Sequence, residues 1–247
     1  MTKPVLLSTG HAHHRPLWEP LSEHYRLAFL EESAAALAES LGIETIRLEK
    51  YVPDFGGDKA RAMLLASRVC NAALDDELIF DSTVPSLTGI GLVGWFPVFV
   101  YENAAAIFGR VSACQSLHEQ ETIAGVLVHE DVTTVGKTLA AWGNGAGIPT
   151  LHIPHANHFS KPGTGDIHCK TTARHLGVNG EYMDAWYQAC GVAADHITRL
   201  GAIQWDEFYD ENKMPPKNAA RRALGIKEDE FVLGYSTTWH QATGGWG

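Results

Sequence analysis

Short apolar runs recur along this chain, and each is separated from the next by a stretch long enough for a helix. The clearest are PVLLSTG, IETIRL, GVLVHE, IPTLHIP and HITRLG. A run too short for a helix and apolar nearly throughout has the pattern of a strand buried on both faces. Successive strands joined by helices lie parallel, with the helices packed on both sides of the sheet. The predicted class is therefore α/β with a parallel sheet. In an open sheet of this kind ligands bind outside the carboxyl ends of the strands, and that is where chemistry is to be sought.

The intervening segments read as follows. Pro20–Leu41 is predicted as one helix, with Leu21, Tyr25, Ala28, Leu37 and Leu41 on its buried stripe and Gly42 closing it. After FGGD a helix capped by Asp58 is expected, with Met63, Cys70, Leu74 and Leu78 on one side. Pro85–Phe96 is apolar and glycine-rich, and Pro97 suits the first turn of a helix running to about Glu119. Thr133 and Thr134 are placed to cap the next helix, which the turn residues Gly143, Asn144, Gly145 and Gly147 end. HANHFSKPGTGD reads as a loop, and Asn179–Cys190 as a helix closed by Gly191. FYDENKMPPKN has the polar, proline-bearing composition of a linker. AARRALGI is a short helix, and FVLGYS opens a new strand. The expected organisation is one large domain over residues 1–206, a linker and short helix over 207–230, and the first strand and loop of a second domain over 231–247.

Three strand ends carry ionisable side chains: Gly10-His11, His129-Glu130-Asp131, and the run from His155 through Asn157 to His158. Parallel order gathers all three at one edge of the sheet. A net charge of −10 over 247 residues disfavours nucleic acid and anionic membranes as partners. The four cysteines form no CxxC pair, and their spacing suggests no disulfide framework. With an N-terminus that lacks a secretory signal pattern, the expectation is a reduced, cytoplasmic protein. Thirteen histidines invite a metal site, but His11, His13 and His14, or His152, His155 and His158, lack the HxHxD and HExxH spacings, so no metal is expected.

The segment GVLVHEDVTTVGKTLAAWGNGAGIPTLHI resembles the VxVHGDTTTxxAxxLAAxxxxIPVxHVEAG region of UDP-N-acetylglucosamine 2-epimerases. GHAHHRPLWEPL keeps the spacing of that family's GTRPExIKxAPL, and HITRLGAIQWDEF is similar to its ITGNTVID loop. RRALGIKEDEFVLGYSTTWHQ is similar to the start of the second domain in GT-B proteins, including the CDP-glycerol polymer transferases. The resemblance implies a Rossmann-like N-terminal half of a GT-B fold. The epimerase glutamate of HVEAG falls on Pro154, and the arginine and glutamate of the N-terminal motif fall on Ala12 and His14. Of the matched catalytic positions only Asp131 keeps its residue type.

Many glycosyltransferases of this fold place a base histidine in a GHxxPL-like context, which implies His11 as catalytic base and Asp131 as its orienting carboxylate. Gly10, His14, His129, Glu130, Thr133, Thr134, His155, Asn157, His158 and Glu181 are the candidate substrate-binding residues, with Ser236, Thr237 and Thr238 facing donor phosphates. The resemblance implies sugar transfer from a nucleotide diphosphate, most simply a UDP-sugar, to an acceptor hydroxyl on a glycan, lipid-linked or small molecule. The alternatives are a sugar-nucleotide epimerase and a non-catalytic binding module. No resident cofactor or nucleic acid is expected, and a homodimer is allowed.

Overall fold

A computed structural model describes residues 2–51, 55–74, 91–154, 161–162, 167–206 and 214–233. The chain divides into two compact units, Met1–Gln204 and Trp205–Gly247. In the first unit the elements run β1 (Val5–Ser8), α1 (Arg15–Ser22), β2 (Arg26–Phe29), α2 (Glu32–Ser40) and β3 (Thr45–Arg47), then α3 (Phe55–Leu74) and α4 (Gly91–Gln120). These are followed by β4 (Ile123–Val128), α5 (Thr134–Gly145), β5 (Thr150–His152), β6 (His175–Val178), α6 (Glu181–Ala189) and β7 (Ile197–Arg199). In the second unit α7 runs over Lys217–Ala223, and Phe231–Leu233 carry no regular structure. The remainder of the expected FVLGYS strand lies outside the described residues.

The seven strands form one sheet in the order β3-β2-β1-β4-β5-β6-β7, and every neighbouring pair is parallel. The first three strands step outward in one direction, and β4 returns to the other side of β1. The winding direction therefore reverses between β1 and β4. Side chains alternate across the sheet as strand geometry requires. Val5, Leu7, Val126 and Val128 pack with Cys114 and Leu117 of α4 and with Leu139 and Ala140 of α5. On the opposite face Leu27 and Phe29 pack with Trp18 of α1 and Ala34, Ala35 and Ala38 of α2. Leu127 lies on that second face too, with Leu17 and Leu21 of α1. This is the doubly wound, Rossmann-like arrangement expected from the alternation of strands and helices.

Several local expectations are corrected. The single helix predicted over Pro20–Leu41 is two helices with β2 between them. Leu21, Tyr25 and Ala28 fit a helical stripe, but Arg26–Phe29 pairs with Val5–Ser8 in register, and sheet burial outweighs the weak periodicity of so short a run. β6 is a further strand that no apolar run in the sequence announces. It is four residues long and contains Gly177, where an added Cβ would stand 2.3 Å from Leu200 Cδ1. Asp58 is not a cap, since α3 begins at Phe55. It is buried in the first turn, and Ala62 and Ala66 continue that stripe while Met63 is exposed. Pro97 lies inside α4 rather than in its first turn. The cysteine reading also changes: Cys169 and Cys190 are joined, with Cα atoms 5.0 Å apart. Their separation of 21 residues hid a pairing that only the return of α6 past the start of β6 brings about. Among the described residues no helix is long and apolar enough to cross a membrane.

Candidate functional site

The chain leaves β1 through Thr9 and Gly10. Gly10 has φ +85°, and a Cβ there would stand 2.5 Å from the Ala34 Cβ, so the sharp turn over α2 requires glycine. The turn places His11 directly after β1, where its Nδ1 accepts a hydrogen bond from His13 N–H at 3.2 Å and caps the short 3-10 turn Ala12–His14. His129 follows β4. The two imidazoles stack across the β1/β4 junction with ring centroids 4.3 Å apart and planes 28° from parallel. His13 stacks on the outer side of His11 at 4.7 Å, and His14 meets His129 edge-on at 6.2 Å.

Thr9 fixes the His129 ring. Its fully buried Oγ1 accepts from His129 N–H at 3.2 Å and lies 2.7 Å from His129 Nδ1. A buried hydroxyl proton needs an acceptor, and Nδ1 supplies it. With Thr9 Oγ1 as the donor, neutral His129 carries its proton on Nε2. The same reasoning applies to His11, whose Nδ1 is an acceptor. His14 is 1% exposed and donates Nε2–H to Ile153 O at 2.8 Å. Burial pushes its pKa down to about 4 against the help of that carbonyl, and the neighbouring His11, His152 and His13 lower it further. His14 is a neutral ring whose Nδ1 has no hydrogen-bond partner among the described residues.

Asp131 does not join this group. It is fully buried, and its Oδ2 accepts from the backbone N–H of Thr172 and, at 3.0 Å, of Ala173. Its Oδ1 lies 3.9 Å from His152 Nδ1. His152 shares its sheet face with Thr150, whose Oγ1 accepts from Arg174 N–H at 2.8 Å. Asp131 is thus turned inward beneath the segment 172–174. His129, in the alternation of β4, continues the opposite face with Leu127. The expected His11–Asp131 hydrogen bond is not formed, because backbone donors claim the carboxylate.

The other expected residues fall as follows. Gly10 and His14 belong to the histidine group. Glu130 is 3.5 Å from His168 Nδ1. Thr133 does cap α5: its Oγ1 accepts from Gly136 N–H at 3.2 Å and donates to Glu130 O at 3.1 Å. Thr134 is the exposed first residue of that helix. Glu181 is exposed after β6 and pairs with Arg199 at 3.0 Å, apart from the histidines. His155, Asn157, His158, Ser236, Thr237 and Thr238 lie outside the described residues. Thr9 and His13 were missed as members of the group, although both flank the GH step that drew attention to His11.

Topology and site together define a doubly wound, Rossmann-like α/β protein with stacked histidines at its switch point, the place where such sheets take ligands. Comparison with protein-family models, curated proteins and solved structures finds no match for the chain. Among the described residues no group of three or more His, Cys, Asp or Glu is arranged to hold a metal ion.

Proposed function

We propose that this chain is the acceptor-binding half of a GT-B-type glycosyltransferase that moves a sugar from a nucleotide diphosphate, a UDP-sugar in the simplest case, to a hydroxyl. The observation that supports this reading is the His11–His129 stack at the carboxyl ends of two strands that flank the switch point. In the reaction the acceptor hydroxyl displaces His13 N–H from His11 Nδ1 and gives its proton to that nitrogen. The freed oxygen forms the bond to the anomeric carbon as the carbon–oxygen bond to the diphosphate breaks. His129 Nε2–H donates to a sugar or phosphate oxygen. The inward turn of Asp131 leaves His11 without the orienting carboxylate expected for the transferase, and equally takes from the epimerase alternative its one matched catalytic residue.

His11→Asn separates chemistry from architecture. Asparagine keeps the acceptor for His13 N–H, since it is an effective cap, but it takes no proton. The protein with its donor-binding half included is supplied with UDP-glucose or UDP-N-acetylglucosamine and a panel of acceptor glycosides, and acceptor-dependent UDP release is measured; the acceptor half alone is expected to be inactive. His11→Asn is expected to lower the rate about a hundredfold or more with thermal stability held. Equal rates, no release by the wild type, or deuterium from solvent at C2 without transfer would overturn the transferase reading.

A further inference from the structure

A second site lies away from the histidines. The segment leading into β6 and the turn after α6 line an open cleft of about 430 Å³. The joined Cys169 and Cys190 form part of its wall, and Lys170, Thr171, Arg174 and His196 line it beside them. Among the described residues no carboxylate lines it. That concentration of cationic groups is unexpected in a chain with a net charge of −10, because surface charge otherwise favours the opposite sign. The volume falls within the ~300–1,000 Å³ of small-molecule sites, which is more room than a bare phosphate needs.

The side chains suit one ligand chemistry. A guanidinium presents paired donors to phosphate oxygens, an ammonium adds a compact charge, and a hydroxyl adds a neutral donor. Arg174 is held by donating to Asn144 O at 3.1 Å, while its backbone N–H is tied to Thr150. His175 sets its ring against His196, centroids 5.5 Å apart. The cross-link ties the segment before β6 to the turn after α6, the two lips of the cleft.

We infer that this cleft binds a small phosphorylated anion, a diphosphate or a phosphate ester, independently of the histidine site. The test is a titration of the whole chain with inorganic pyrophosphate, followed by backbone amide shifts and calorimetry. Saturable shifts confined to residues 170–174 and 190–196 are expected. Lys170→Glu and Arg174→Ala should each weaken binding about tenfold, a loss typical of one charge-assisted contact. Lys137→Ala, an exposed lysine on α5, should leave it unchanged. Lys170→Glu alters only an exposed side chain, so a folded variant is assured for comparison by its amide spectrum. Shifts that fail to saturate, equal weakening by Lys137→Ala, or tighter binding of citrate than of pyrophosphate would overturn the assignment.

Discussion

Acidification should destabilise this protein through one buried ring. His14 has an ordinary pKa of 6.5 when unfolded and about 4 in the folded chain, chiefly because burial penalises its charged form. Between those values the unfolded state binds the extra proton, so stability is present in full above pH 6.5 and is lost as pH falls toward 4. Lowering pH from about 7 to about 5 should remove about 2 kcal/mol through this ring alone, given 1.36 kcal/mol per unit of displacement. His14→Gln is the comparator, because its amide N–H can still reach Ile153 O while nothing titrates. Urea unfolding of both proteins at the two pH values isolates the contribution, since every other group titrates alike in each. The wild type should lose about 2 kcal/mol more than the variant. Equal losses would refute the assignment of His14 as a neutral buried ring.

Further outcomes follow from named contacts. Gly136→Ala places a Cβ 1.7 Å from Glu130 O, so the start of α5 must shift, and denaturant melts should show a loss of about 1–3 kcal/mol. Cys190→Ser opens the cross-link to Cys169, and by loop-closure entropy should cost about 3 kcal/mol of unfolding free energy; hydrogen exchange should quicken at Thr172 and Ala173, whose N–H groups hold Asp131. Cys114 is 2% exposed, and burial pushes its thiol up to about 12, so peptide mapping should find it unmodified by iodoacetamide at neutral pH until the chain is unfolded. Trp18→Ala empties a site that is 1% exposed between α1 and β2 and should lower stability by about 3–5 kcal/mol.

The parallel sheet was legible because β1, β4 and β5 are apolar runs with abrupt polar ends. That pattern survives in one dimension. β2 and β6 were not legible, since four residues fix neither a period of two nor one of 3.6, and their identity comes from partners far along the chain. Parallel order placed His11 and His129 at one edge of the sheet, but their contact was not legible, since it needs β1 beside β4. Nor was the inward turn of Asp131, because it depends on two backbone N–H groups more than forty positions away. The Cys169–Cys190 pair was hidden for the same reason: its spacing matches no local motif, and only the chain path around β6 and α6 joins the two.

Thr9 and His129 are 120 positions apart, yet a hydroxyl and an imidazole from those positions fix each other. The stretch between them holds α1, β2, α2, β3, α3 and α4, and β4 pairs with β1 only across that whole length. Closing so large a loop is entropically late. The Thr9–His129 contact should thus mature late as the chain folds, only once β4 is seated beside β1.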